Sequence, residues 1–489
     1  MTNDHNKTRD RTLGSYYTAD LTVKYIVEKV MPYVTKDSKI LDFAAGNGIF
    51  LKEFLAHGVS PEQLYAYDID PEVVKELRKT FPNTFSSDSI LELKGEFDII
   101  IGNPPYSSNE CDYIKQHREH LRKKFYPIAP SNLYSLFCVS ALRHLKEGGI
   151  MSVIILDSFV SNVYYKPFRE YLLNTCKIKE ILLAPRRLFH KENADVRTAI
   201  LTMEKCSGPL NAEERNNNTV KLIDRVETEE EYQNPKQDSI QTVKQGYFFK
   251  MPESTFFVNV PQKILELITE TKTKLDEYLG GGTGISTGND GKFLKPTSEV
   301  KNNPKWVGYY KNGIRGAYHY EPTMFIEKDY KKHAEKVSNF MLRNEPFFFK
   351  EGITCSSVGV NFSASYMPPG NLFGVNANFF AKNKTELYYA LGLLNSKIAI
   401  YILKKVFNRT NNVSSKYIKR LPYLSPSKEK KEEIASYVKK IVSKLKQNKN
   451  YDYSSEQKYL DEFFFDLYGI DGEVRKQVEY FTADVYNLL

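Results

Sequence analysis

Cysteine is sparse and scattered in this chain. Cys111, Cys138, Cys176, Cys206 and Cys355 are odd in number and show no Cys-x-x-Cys spacing. That argues against a disulfide framework or a zinc site and fits a reducing compartment. Long apolar runs are missing as well. No stretch approaches the ~20 residues needed to cross a bilayer, and Met1 to Arg11 is polar and charged, with no apolar signal core. A soluble cytoplasmic protein without a membrane partner is the expectation. There is no internal repeat. Neither sign of charge dominates: 69 basic against 60 acidic residues leave a net charge of +9, which permits a polyanionic partner without requiring one.

What is present is a globular composition. The 489 residues are 41% hydrophobic and 13% aromatic, enough for two or three domains with real cores. Up to about residue 205, short apolar runs alternate with amphipathic stretches. Lys39–Phe43, Leu64–Tyr67, Thr84–Ser86, Phe97–Ile101, Ile150–Leu156, Ile178–Leu183 and Thr198–Met203 read as strands. Pro71–Thr80 and Leu133–Leu145 read as helices, the second ending in a turn at Lys146-Glu147-Gly148-Gly149. This alternation predicts an α/β fold with a doubly wound, mostly parallel sheet. Ser207–Gln241 is polar and reads as an excursion or linker closing a first domain, 1–245. From about Gly246 the rhythm changes: glycines cluster, aromatic and basic residues interleave, and segments shorten. A second domain over 246–489 follows.

The most telling segment is Asn103-Pro104-Pro105-Tyr106. It follows an apolar strand, and two prolines cannot continue one, because they donate no backbone hydrogen bonds and fix φ. The result is a stiff turn at a sheet's carboxyl edge, where ligands bind in open α/β folds. Asn103 and the carbonyl of Pro104 can accept hydrogen bonds from a planar amine while Tyr106 stacks on the attached ring. Upstream, the strand ending at Asp42 runs through Phe43-Ala44-Ala45-Gly46-Asn47-Gly48 into a helix. Small residues let a ligand approach the backbone. Asp68 and Ile69 follow a second strand, at the place where an acid takes ribose hydroxyls. Asp88 and Ser89 follow a third, where an adenine amino group can be held. Gly-x-Gly is not the three-glycine dinucleotide fingerprint, so an adenosine cofactor without pyrophosphate is expected rather than NAD.

With these segments in this order, the chain resembles the S-adenosylmethionine-dependent DNA adenine-N6 methyltransferases of the gamma order, the TaqI-like group. Gly14-Ser15-Tyr16-Tyr17-Thr18 resembles the family's first cofactor segment, although Thr18-Ala19-Asp20 departs from its usual Thr-Pro. Asp42 to Gly48, Asp68-Ile69 and Asp88-Ser89 resemble the next three, Asn103 to Tyr106 the catalytic tetrapeptide, and Asn132-Leu133-Tyr134 a segment of the target-base pocket. Gly284 to Gly288 and Leu393 to Ser396 resemble segments of the target-recognition domain. The resemblance implies a Rossmann-like methyltransferase sheet followed by an α+β domain for DNA target recognition. It implies S-adenosyl-L-methionine held by Tyr17, Thr18, Asp42, Ala44, Gly46, Gly48, Asp68, Ile69, Asp88, Ser89 and Asn103. Catalysis falls to Asn103, Pro104, Pro105 and Tyr106, and Tyr106 and Phe189 stack on an extruded adenine.

Double-stranded DNA is the implied partner. Lys123, Lys124, Lys311, Arg315, Arg409 and Lys416 are candidate contacts to it. The basic insert Ser107–Pro130 reads either as a solvated helix face or as a flexible segment that meets phosphates. No fused nuclease is expected, so any cognate restriction endonuclease would be a separate protein. A monomer without a bound metal is the implied state. The alternatives are an N6-adenine methyltransferase acting on RNA, a smaller glutamine-amide methyltransferase, and a non-catalytic DNA-binding subunit.

Overall fold

The computed structural model describes residues 18–107, 111–130, 132–186, 188, 196–300, 303–311, 317–356, 359–409 and 413–485. Two compact units divide the chain, Met1–Asn259 and Val260–Leu489.

The first unit is built on a nine-stranded sheet. Its strands are β1 (Ile40–Asp42), β2 (Leu64–Asp68), β3 (Asn83–Ser86), β4 (Phe97–Gly102), β5 (Leu145–Leu156), β6 (Cys176–Leu183), β7 (Thr198–Lys205), β8 (Thr219–Ile223) and β9 (Ile240–Lys244). The order is β3-β2-β1-β4-β5-β7-β6-β8-β9. β7 runs antiparallel to β5 and β6, and β9 antiparallel to β8; the remaining neighbours are parallel. The doubly wound, mostly parallel sheet read from the alternating pattern is therefore present. Strand order reverses between β1 and β4, and such a reversal opens a crevice at the strands' carboxyl ends. Helices flank the sheet: α1 (Asp20–Val30), α2 (Ile49–Ala56), α3 (Pro71–Leu77), α4 (Asp112–Phe125), α5 (Leu133–His144) and α6 (Lys166–Thr175). Local chemistry sets their starts. Asp70 caps α3 by accepting from Glu72 N, with Pro71 in the first turn, and Asn132 caps α5 by accepting from Tyr134 N.

Three features differ from the sequence reading. Lys146-Glu147-Gly148-Gly149 is not a connecting turn. It loops out within β5, whose register on β4 jumps from Phe97↔Leu145 to Ile99↔Ile150. Lys146 Nζ reaches back to Asp98 Oδ1 at 2.8 Å, so an ion pair closes the bulge. The polar stretch Ser207–Gln241 is not a linker: β8 lies within it and β9 starts there, and Val220, Leu222 and Ile223 are buried. The units divide at Asn259/Val260 rather than at 245/246, because the intervening residues pack on the first unit. Phe256 N donates to Val160 O at 2.8 Å, and the buried Arg169 guanidinium donates to Glu253 O and Ser254 O.

The second unit is α+β. One sheet orders Leu279–Gly282, Asn378–Ala381, Gly352–Cys355, Ala364–Met367 and Tyr318–His319; another orders Leu294–Pro296, Met324–Glu327, Trp306–Tyr310 and Leu372–Phe373. Tyr309, Tyr310, Phe348, Phe373 and Phe380 lie in its aromatic core. Asn395 pins a helix end to the first sheet, accepting from Ala364 N and donating to Ala364 O, both at 2.9 Å.

Candidate active site

β4 ends where the two prolines begin. Pro104 is buried, Asn103 and Pro105 are half-buried, and Tyr106 is 7% exposed. The Asn103 carboxamide is gripped at both ends. Its Nδ2 donates to Thr18 Oγ1 at 3.1 Å, and its Oδ1 accepts from the Tyr106 hydroxyl. That hydroxyl also lies 3.2 Å from Ile154 O on β5. The turn is stapled to the start of α5: Asn132 Nδ2 donates to Tyr106 O at 3.1 Å, and Leu133 N to Ser107 O at 3.0 Å. Burial leaves little of the Tyr106 ring for a stacked base in this state.

Across the switch point, β1 leads into the glycine turn. Gly46 has φ +49°, and a Cβ built on it meets nothing within 4 Å among the described residues. Its N–H donates to Asp68 Oδ2 at 2.9 Å, while Asp68 Oδ1 accepts from Asp70 N at 2.9 Å. Burial raises the Asp68 carboxyl above the ordinary range, and these N–H groups oppose the rise. Ile69, next in sequence, is an apolar side chain that is 58% exposed just past the end of β2. Gly48 has a packing role: a Cβ there would stand 2.6 Å from Leu77 Cδ2. Asp42 is fully buried. Its Oδ1 accepts from Ala44 N at 3.2 Å, and its Oδ2 has no hydrogen-bond partner among the described residues. Burial pushes this carboxyl up to about 7.

Asp88 is already engaged. Its Oδ1 accepts from Ile90 N and Leu91 N, and its Oδ2 from the Tyr113 hydroxyl at 2.7 Å. The neighbouring Ser89 is buried, and its carbonyl accepts from Ser140 Oγ at 2.7 Å. Tyr113 sits on α4, a 14-residue helix within the basic insert, with Ile114, Leu121 and Phe125 buried. Lys123 on its outer side is exposed, whereas Lys124 donates to Leu91 O at 2.7 Å.

The candidate DNA contacts of the second unit fare unevenly. Lys416 is exposed, and Lys311 is paired with Asp290. Arg409 is 2% exposed and does not belong to an exposed basic face. Tyr17, Phe189 and Arg315 lie outside the described residues. Among those residues, no helix is long and apolar enough to span a membrane, and no group of His, Cys, Asp or Glu could hold a metal ion.

Some polar residues around the site escaped the sequence reading. Asp157, directly after β5, pairs with Arg225, which also donates to Ala184 O after β6. A carboxylate at a strand's carboxyl end was the available signal. Tyr113 and Glu229 gave none, because their partners Asp88 and Thr22 lie 25 and 207 residues away.

Residues 51–189 match the Eco57I restriction-modification methylase family. The adenine-specific methyltransferase PglX of Lacticaseibacillus casei (strain Zhang) is 26% identical over 339 residues, 62% of this chain and 27% of PglX. The type II methyltransferase M.HincII of Haemophilus influenzae is 27% identical over 190 residues, 38% of this chain and 36% of M.HincII. The chain therefore spans 27% and 36% of the length of these two relatives. Among solved structures, the type IIL restriction-modification enzyme MmeI in complex with DNA aligns with a TM-score of 0.57 at 12% identity, over 95% of this chain and 75% of that one. At that identity the likeness is one of fold.

Proposed function

On the premise that residues 51–189 form a restriction-modification methylase domain of the Eco57I family, we propose that this chain transfers a methyl group from S-adenosyl-L-methionine to N6 of an adenine in double-stranded DNA. The observation that carries the reading is the position of Asn103-Pro104-Pro105-Tyr106 at the carboxyl end of β4, beside the open glycine turn of β1 at the sheet's switch point.

The residues at that edge fit the cofactor. Among the described residues, Gly46 leaves room for a ligand against the backbone, Asp68 offers an acceptor, Ile69 offers an exposed apolar surface, and Asp42 Oδ2 is buried without a partner. The bound cofactor would supply a methyl group activated on a sulfonium. The protein's part is to bind and orient. An adenine amino group lies inside the duplex, so its base must leave the stack. Asn103 Oδ1 and Pro104 O then accept the two N–H groups and turn the nitrogen lone pair out of conjugation. Dipoles fixed in place stabilise the positive charge that develops on nitrogen. The amine loses its proton after transfer, so no strong base is needed, and no side-chain nucleophile takes part. Tyr106 and Phe189 are the proposed stacking partners of the base, which requires the Tyr106 ring to become more accessible than in this state. The exposed face of α4, with Lys123, is the proposed contact to phosphates. The second unit is the proposed target-recognition domain, and a separate endonuclease the proposed partner of a monomeric enzyme.

The test is methylation mapping by single-molecule sequencing of DNA from a host that expresses the chain, beside an Asn103→Ala control. Purified protein is assayed in parallel for labelled methyl transfer to duplex DNA and to RNA. N6-methyladenine at one sequence motif, lost in the control, is the expected result. Label entering RNA alone, or near-normal turnover by the Asn103→Ala protein, overturns the reading.

A further inference from the structure

An asparagine carboxamide turns about a soft sp3–sp2 torsion, and its two ends are nearly isosteric. Only the oxygen end can accept N–H groups from a substrate amine. An Asn103 left to rotate would present its own NH2 to the amine for part of the time. The structure gives that NH2 a partner in the Thr18 hydroxyl, at 3.1 Å. Thr18 is 7% exposed and stands two residues before α1, where Ala19 occupies the capping position without a side-chain cap.

The place of Thr18 is set by remote contacts on α1. Glu229 Oε1 supplies the missing cap, accepting from Thr22 N at 3.1 Å and Thr22 Oγ1 at 2.6 Å. One turn further on, the Tyr25 hydroxyl donates to Glu180 Oε1 at 2.6 Å, and Lys29 Nζ pairs with Glu180 Oε2 at 2.9 Å. α1 is thus bolted to β6 and to the 229–232 turn, and its leading end is delivered to the β4 turn. On the other side of the carboxamide, the Tyr106 hydroxyl has Ile154 O as a second acceptor. It can give up Asn103 Oδ1 to a substrate amine without being left unbonded.

We propose that Thr18 is a positioning residue for Asn103: its hydroxyl holds the carboxamide NH2 so that the oxygen faces the amine to be methylated. This assignment rests on the methyl-transfer reading and adds to it a role for Thr18 beyond cofactor contact.

Thr18→Val keeps the volume and removes the acceptor, and Thr18→Ser keeps the hydroxyl. At saturating cofactor and DNA, the valine variant should transfer methyl about 10- to 100-fold more slowly in a single turnover, the range expected for a misplaced reacting group. Its dissociation constant for DNA and its thermal midpoint should stay at the wild-type values, and working at saturating cofactor sets aside any weaker cofactor contact. The serine variant should recover most of the rate. In protein labelled with 15N-asparagine, the Asn103 side-chain amide signals, assigned by their loss in Asn103→Ala, should move in Thr18→Val and hold in Thr18→Ser. A wild-type single-turnover rate in Thr18→Val overturns the proposal. So does a defect that appears only as weaker cofactor binding and vanishes at saturation, which would assign the hydroxyl to the cofactor. A wild-type chain that transfers no methyl would overturn the methyl-transfer reading instead, and the amide signals would still report whether Thr18 holds the side chain.

Discussion

Gly46 and Gly48 sit two residues apart in one turn, and alanine should harm them in different ways. Both have positive φ, +49° and +72°, so each alanine costs about 1–2 kcal/mol for the left-handed backbone. At Gly46 the new methyl meets none of the described residues within 4 Å and adds nothing further to that cost. At Gly48 it would stand 2.6 Å from Leu77 Cδ2 and 3.4 Å from Phe81 Cε2. Relieving such overpacking costs about 1–3 kcal/mol more. For a unit of this size each kcal/mol moves the midpoint by roughly 2–4 °C, so Gly46→Ala should melt roughly 2–8 °C lower and Gly48→Ala roughly 4–20 °C lower. Binding should rank the other way. The Gly46 methyl occupies the space proposed for the cofactor, and a clash of about 1–3 kcal/mol weakens binding roughly 5- to 150-fold. Scanning fluorimetry with and without S-adenosylmethionine, together with calorimetric titration, measures both quantities. Wild-type cofactor binding by Gly46→Ala, or a Gly48→Ala protein that is the more stable of the two, would refute these assignments.

Two further outcomes follow from the same site. The Asp42 carboxyl is raised from 3.8 to about 7 by burial. Well below pH 4 it is protonated whether the chain is folded or not, and it contributes no difference. Between pH 4 and 7 the unfolded chain releases this proton and the folded one keeps it, so stability falls as pH rises, by up to about 4 kcal/mol above pH 7. Asp42→Asn should therefore be more stable than wild type in urea at pH 8 and lose that advantage near pH 4; an equal difference at both values would defeat the argument. Reversing Arg122 and Lys123 to Glu on α4 should lower the slope of log binding constant against log salt by about 0.9 for each phosphate that the protein no longer neutralises. An unchanged slope would remove α4 from the DNA interface.

Strands carrying unbroken apolar runs were legible in the sequence. Ile99 to Ile101 and Ile150 to Ile155 are buried on both faces, as central strands in a doubly wound sheet must be. β8 was not legible, because its short alternation of Val220, Leu222 and Ile223 lies inside a run of Asn, Glu and Asp. Lys146 to Gly149 misled for the opposite reason: glycines that ordinarily end a helix here serve a bulge closed by Asp98. The site's segments were readable where a motif is contiguous, as at Asn103 to Tyr106. What no local pattern could show is which side chains meet across it. Thr18 lies 85 residues from Asn103, and Asp88 lies 25 from Tyr113.

The tethering of α1 also bears on how the molecule assembles. Its polar ties reach across 155 residues to Glu180 and across 207 to Glu229. Contacts of such separation close late, after local elements have formed. During synthesis, when domains gather from the amino end, α1 leaves the ribosome long before β6 and the 229–232 turn exist to receive it. Asn103 therefore gains its hold on Thr18 only once nearly the whole first unit has been made, so a nascent or truncated chain carries every residue of the tetrapeptide and still lacks the site.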